Sequence, residues 1–265
     1  DVSNGGAGGF GGGGGGDAGA GGFGGGGGGD NGTGGFGGGN GGSGLGGGGG
    51  AGFGGAVFVQ DGASVTISGS STASGGSDTS GAGNSGGQNG SAAGSGLFLQ
   101  NSGVTLASGA GETLSIADSI ADDTGNGGNA GSLTIDGAGT VELTGANTFS
   151  GGVTVAGGTF RLGSDTAAGT GTITTNGSTL SFADGVNSAS PINLSSNDTR
   201  LEVNGGESAE QSGVISETGG ARSLEKIGDG TLVLSGTNTY TGATTVSAGT
   251  LGFTGAITNQ AGSTL

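Results

Sequence analysis

A stretch of 24 residues occurs twice in this chain, at 137–160 and again at 228–251, with 12 of the 24 aligned residues identical. Most of the remainder are like-for-like exchanges, such as Phe149 for Tyr240, Thr144 for Ser235 and Val141 for Leu232. Each copy reads as three short alternating segments divided by Gly or Asn corners. A unit of that size cannot bury its own apolar face and must stack on its neighbours. The repeat therefore predicts an all-β chain, a parallel β-helix or β-solenoid.

The rest of the chain from Ala56 onward carries the same grammar. Segments such as Leu114–Ile116, Leu133–Ile135, Val153–Val155, Phe160–Leu162, Ile192–Leu194, Leu201–Val203, Leu232–Leu234 and Leu251–Phe253 are apolar-x-apolar. In a strand, that places two residues inward and one outward. About 20 residues per winding predicts roughly nine rungs over residues 56–265 once residues 69–96 are left out. Helical periodicity is absent except over Glu207 to Ser212, where one turn is conceivable. A weaker repeat relates Val57–Gln60 with Ser64–Ser68 to Leu97–Gln100 with Val104–Leu106, at an offset of 40 that falls to 39. It reads as two hairpin-like pairs. Residues 69–96 between them contain no Val, Ile, Leu or aromatic residue before Leu97, so they are expected to form a protruding loop.

Residues 1–55 form a separate tract of nearly pure glycine. Phe10, Phe23 and Phe36 are spaced by 13, and Asp17, Asp30 and Ser43 keep the same step. A flexible linker is one reading, because ordering glycine costs more backbone entropy than any other residue. The other is an ordered, backbone-paired array with one 13-residue unit per layer and the three Phe side chains in a ladder, since glycine permits the closest approach of backbones.

Composition removes whole classes of function. The chain has 265 residues and a formal net charge of −16, from 20 acidic residues against Arg161, Arg200, Arg222 and Lys226. Nucleic acid binding needs a basic footprint, and so does attachment to anionic lipid. With no His and no Cys, Ser-His-Asp and Cys-His nucleophile systems are impossible, as are imidazole and thiolate metal sites. No apolar run approaches the ~18 residues of a spanning helix. The chain ends at Ser263-Thr-Leu265, inside a strand-like pattern, and is expected to be a fragment of something longer.

The pattern starting at Leu133 and at Leu224, Leu-x3-Gly-x-Gly-Thr-[Val/Leu]-x-Leu-[Ser/Thr]-Gly-x-Asn-Thr-[Phe/Tyr]-[Ser/Thr]-Gly-x2-Thr-Val-x2-Gly-Thr, resembles the passenger-associated repeat of bacterial autotransporters. The phrases at 54–59 and 96–100, with the Gly-Phe-Gly tract, are similar to passenger segments of large Gly-rich members. The resemblance implies a right-handed parallel β-helix exported to the bacterial surface, membrane-bound only through a C-terminal barrel that this sequence lacks. It implies a structural or adhesive rod whose partners are a host or neighbouring-cell surface component or sister chains, with no enzyme activity. Self-assembly into a filament or biofilm matrix is the alternative, and a carbohydrate-active β-helix enzyme a more distant one.

Asp118, Asp122 and Asp123 cluster in sequence, as do Glu202, Glu207 and Glu210 near Arg200 and Arg222. Catalytic carboxylates need a defined separation on rigid strands, whereas these fall mainly in Gly- and Asn-flanked turns, and they read as solvated acidic loops. Asp17 and Asp30 follow glycine runs, but the step of 13 does not fit the nine-residue calcium repeat. Asn147 and Asn238 hold the same corner of the two copies and are expected to turn the chain by a left-handed conformation or a bond to their own backbone. Phe149 and Tyr240 read as core. No catalytic, cofactor or metal site is assigned.

Overall fold

The computed structural model describes residues 5–124 and 128–255. Among them there is no α-helix, and every strand pairing is parallel. Two long sheets run the length of a solenoid. The first contains seven strands, from Val65–Ser68 through Gly103–Ser108, Ser132–Gly137, Val153–Val155, Ile173–Thr175 and Ile192–Leu194 to Ile215–Glu217. The second contains eight, from Ser71–Ala73 to Thr244–Val246. The third side is split between the strands Val57–Val59, Leu97–Leu99 and Ile120–Asp122 at one end and four strands ending at Thr250–Phe253 at the other. The ladder has seven to eight rungs rather than nine, because several windings carry inserts. The pattern at Ser263-Thr-Leu265 lies outside the described residues.

The alternation read from the sequence sets the core. Val104, Leu133, Val153, Ile173, Ile192 and Ile215 stack in register in the first sheet, and Leu114, Val141, Phe160, Leu180 and Leu201 in the second; all are buried. The weak repeat is itself the strand register: Val57 pairs with Leu97 and Val65 with Val104. Its halves are therefore stacked parallel rungs, and no hairpin forms. Glu207 to Ser212 contains the strand Ser208–Gln211, whose Ala209 and Gln211 face inward, so the helical turn does not form either.

The two copies of the 24-residue repeat occupy different sides. In the first copy, Leu133 lies in the first sheet and Val141 in the second, whereas in the second copy Leu224 lies in the second sheet and Leu232 on the third side. The strands Asn187–Ser188 and Ser208–Gln211 on the third side advance the winding by one face between the copies. The shift also sets Lys226 over Leu201 at an inward position, where it is 1% exposed. Its Nζ reaches the carbonyls of Ile227 and Gly228, each at 2.7 Å, so the ammonium is paired although its stem is in the core.

The corner asparagines act neither through a left-handed backbone nor on themselves. Asn147 accepts a bond from the Ile120 N–H of the rung below at 2.8 Å and donates to the Ala167 carbonyl of the rung above at 2.8 Å. Asn238 accepts from the Ile215 N–H at 2.8 Å. A carboxamide carries both a donor and an acceptor, so it replaces a peptide group where the strand ladder is interrupted. Phe149 and Tyr240 beside them are buried in the core.

The glycine tract is ordered by its own backbone. Gly8, Gly11 and Gly14 donate to the carbonyls of Ala20, Phe23 and Gly26 at 2.6–2.9 Å, and Gly21, Gly24 and Gly27 repeat the pattern one unit later onto Thr33, Phe36 and Gly39. Bonds on a three-residue step mark threefold polyproline-II segments. Phe10, Phe23 and Phe36 each sit at a turn whose next residue is glycine at φ +71° to +74° (Gly11, Gly24 and Gly37), the geometry of a type II turn. The three rings stack at 5.2 and 5.0 Å. Phe23 also meets Phe58 and Phe98, on the outward side of the first rungs, which joins the array to the solenoid.

Residues 69–96 do not protrude. Ser71–Ala73 pairs with the Thr113–Ile116 strand, and Ala92–Ala93 pairs with Gly52–Phe53. Between them, Gly81 donates to Gly50, Asn84 to Gly47 and Gln88 to Asn40. Lack of apolar side chains excludes this segment from a side-chain core but suits it to a lattice built from peptide groups.

Candidate functional surface

The first sheet presents one outward file. Thr66, Thr105, Thr134, Thr154 and Thr174 stand in direct register on five successive rungs, continued by Asn193 and Ser216. Thr66, Thr105, Thr134, Thr154 and Asn193 each stand between two apolar residues that face the core, while Thr174 stands between Ile173 and the buried Thr175, and these middle side chains face solvent or the groove between rungs. Strands stack at about 4.8 Å, which sets the hydroxyl spacing. No Lys or Arg occurs in these seven strands. A hydroxyl donates one hydrogen bond and accepts two, so the file offers a repeating neutral donor–acceptor edge.

The second sheet carries a charged strip beside it. Its outward file runs Ser115, Glu142, Arg161, Ser181 and Glu202. Arg161 bridges Glu142 at 3.3 Å and Glu207 at 3.0 Å and donates to the Ser181 hydroxyl at 3.0 Å. Thr113, Thr140 and Thr159 flank this network and complete a shallow groove of about 470 Å³.

The acidic residues grouped by sequence are dispersed. Glu207 pairs with Arg161, Arg200 pairs with Glu225 at 3.6 Å, Glu210 accepts from Ser235, and the Arg222 amide donates to Glu217. Asp118 accepts from the Gly76 amide at 3.0 Å, and Asp30 from the Gly44 amide at 2.8 Å. Asp17 takes part in an isolated backbone bridge to Gly29. Among the described residues no group of three His, Cys, Asp or Glu is placed to hold a metal ion.

Asp122 works as a staple. It accepts from the Gly131 amide at 2.9 Å and from the Ser150 amide and hydroxyl at 2.7 and 2.8 Å. Burial pulls its carboxyl upward, but these bonds and one from Thr124 outweigh that and hold it below the ordinary value. Burial raises Asp123, reinforced by the charges of Asp122 and Asp61, and among the described residues its Oδ1 has no hydrogen-bond partner. Burial also lowers Lys226, against the pull of Asp229 and Glu202. The apolar-x-apolar segments Leu133–Ile135 and Val153–Val155 place Thr134 and Thr154 outward one at a time. That they share one sheet depends on rung lengths, which the intervening turns conceal.

The family model described as passenger-associated-transport-repeat matches residues 129–162 and 224–252. These repeats support an autotransporter passenger domain. Both matches fall on the 24-residue copies and their leading strands, and each ends within a strand that pairs back onto its own copy. No curated protein and no solved structure matches the chain. The passenger repeat thus specifies two strands, an Asn corner and two more strands, whichever sides of the solenoid they occupy.

Proposed function

We propose that this passenger is a non-enzymatic adhesive rod displayed on the bacterial surface, and that the threonine file of the first sheet is its docking face. The file carries this reading: five hydroxyls on adjacent rungs form a flat, neutral, multivalent edge on a strongly acidic chain. Such an edge suits a polyhydroxylated or backbone-rich component of a host or neighbouring cell. It recognises by many weak, equivalent bonds rather than by one pocket. Passenger repeats favour export to the cell surface, where such a partner is met.

The test is the pair of substitutions Thr134→Lys and Thr154→Lys, measured for binding of the purified chain to glycan arrays and cell monolayers. Both side chains are outward, so stability is expected to change by only about 0.5 kcal/mol per site. Binding is expected to fall at least about tenfold, equivalent to 1.4 kcal/mol. Unchanged binding at unchanged melting temperature would remove the file from the reading. Release of reducing sugar from an acidic polysaccharide would overturn the non-enzymatic assignment.

A further inference from the structure

The groove on the second sheet holds polar groups that the fold itself does not use. Thr113, Thr140 and Thr159 stand in direct register on three successive rungs along it. Glu202 and Asn204 line its far end. Among the described residues, none of the three hydroxyls, nor the Asn204 carboxamide, nor the half-buried Glu202 carboxylate makes a hydrogen bond or an ion pair. Thr179 continues the file beside Thr159; it is 8% exposed, and among the described residues its hydroxyl is equally unpaired. Buried polar groups are nearly always satisfied, so an unpaired one beside a groove points to a ligand that completes it.

The groups already in use set the charge. Arg161 commits its three nitrogens to Glu142, Glu207 and Ser181. Against that single cation stand three carboxylates, those of Glu142, Glu207 and Glu202. Lys226 does not neutralise Glu202, because its Nζ is held by the carbonyls of Ile227 and Gly228. Nor is the excess charge a metal site, since among the described residues no group of three His, Cys, Asp or Glu is placed to hold an ion. The groove crosses five rungs, roughly 19 Å at one strand spacing per step, and no aliphatic or aromatic residue lines it.

We infer that this groove binds an extended saccharide chain carrying free amino groups. Its length selects a chain over a single small molecule. Its wholly polar lining disfavours a peptide or a lipid, whose apolar parts would find nothing to bury against. Sugar hydroxyls both donate and accept, and so match the threonine hydroxyls and the Asn204 carboxamide, which do the same. An ammonium on the chain supplies the donor and the charge that Glu202 is missing, and a charge-assisted bond is about twice as strong as a neutral one. A chain bearing carboxylate, sulfate or phosphate would meet the excess negative charge and be repelled. The site lies on a different sheet from the threonine file, and the inference does not depend on that file.

The probe is a glucosamine tetramer with free amines, titrated into the ¹⁵N-labelled full chain in mildly acidic buffer beside its fully N-acetylated counterpart. Saturable shifts centred on Thr113, Thr140, Thr159 and Glu202 are expected, with the acetylated tetramer at least about tenfold weaker. Glu202→Gln removes the charge at nearly constant shape and is expected to weaken the free-amine tetramer about tenfold at an unchanged melting temperature. Thr140→Lys sets a cation into the groove from an outward position and is expected to abolish binding in a folded chain. Should loss of the charge near Lys226 unfold Glu202→Gln, Thr140→Lys and the acetylated tetramer still decide. Thr134→Lys, on the first sheet, is expected to leave this binding unaltered, which separates the groove from the proposed docking face. The inference is overturned by absent or dispersed shifts, by equal binding of the acetylated tetramer, by undiminished binding to Thr140→Lys, by an equal loss in Thr134→Lys, or by spermine giving the same shifts at equal affinity, which would make the groove a counter-ion site only.

Discussion

Asn147→Ala isolates the corner device that the passenger repeat carries. The side chain is 2% exposed and makes two bonds of 2.8 Å, one to the rung below and one to the rung above. Truncation leaves the Ile120 N–H and the Ala167 carbonyl buried without their partner. Each orphaned buried group costs about 1–3 kcal/mol. Both are peptide groups inside a tightly stacked ladder, with little room for water to substitute, so the total is set at about 2–4 kcal/mol. For a chain of this size 1 kcal/mol moves the melting temperature by roughly 2–4 °C, which predicts a fall of about 5–15 °C. Differential scanning calorimetry measures it, and hydrogen exchange localises it: the Ile120 amide is expected to lose protection before amides three rungs away, because solenoid stability is a sum of nearest-neighbour terms. Asn147→Asp adds a sign test. A buried carboxylate there is destabilising when charged, so its folded pKa is raised and the variant gains stability relative to wild type as pH falls through that value. A melting temperature within 1–2 °C of wild type, with the Ile120 amide still protected, would refute the cross-rung role.

Asn238→Leu is expected to lower the melting temperature similarly, by roughly 5–15 °C, while leaving surface binding unchanged. Asp122 has a folded pKa below its ordinary 3.8, so its contribution is complete above pH 3.8 and is lost as pH falls through the folded value; Asp122→Asn is expected to remove that acid-labile component from urea midpoints measured below pH 4. Lys226 is displaced downward, so the unfolded chain binds the extra proton between its folded value and 10.5, and stability rises with pH across that window; Lys226→Met is expected to abolish the rise relative to wild type. Gly22→Ala places a Cβ on the Gly9 carbonyl and is expected to unpair the first glycine unit, seen as fast exchange of the Gly8, Gly11 and Gly14 amides at otherwise unaltered rungs.

The solenoid was legible wherever side chains carry the stacking. Apolar-x-apolar segments such as Leu133–Ile135 and Val153–Val155 fall in strands because a lone outward residue between two inward ones permits no other regular structure. Where peptide groups carry the stacking, the hydrophobic pattern was silent. Residues 69–96 read as a loop for want of apolar side chains, yet they pair with the glycine tract through backbone alone. The side each repeat copy occupies was hidden because Ser208–Gln211, the strand that advances the winding, has only Ala209 as an apolar inward residue. The proposed docking face was half legible: Thr134 and Thr154 were plain as outward residues, but the file they share rests on winding lengths that no local signal encodes.

The two stacking regimes in this chain also dictate what can join them. The array advances by units of 13 residues, whereas the solenoid winds in rungs of about 20, and residues 81–93 join the two through backbone hydrogen bonds to residues 40–53. Aromatic rings form a second seam, since their attraction tolerates offset and tilted geometries over several ångströms. Phe58 and Phe98 stack on each other at 5.4 Å and receive Phe23 edge-on at 5.9 and 6.3 Å, while Phe36 meets Phe98 at 56°, Phe53 meets it at 19°, and Phe36 and Phe53 meet each other at 46°. Phenylalanine is thus concentrated where the two periods meet: Phe10, Phe23, Phe36, Phe53, Phe58 and Phe98 form this one cluster, and none of them lies in the core column beyond it.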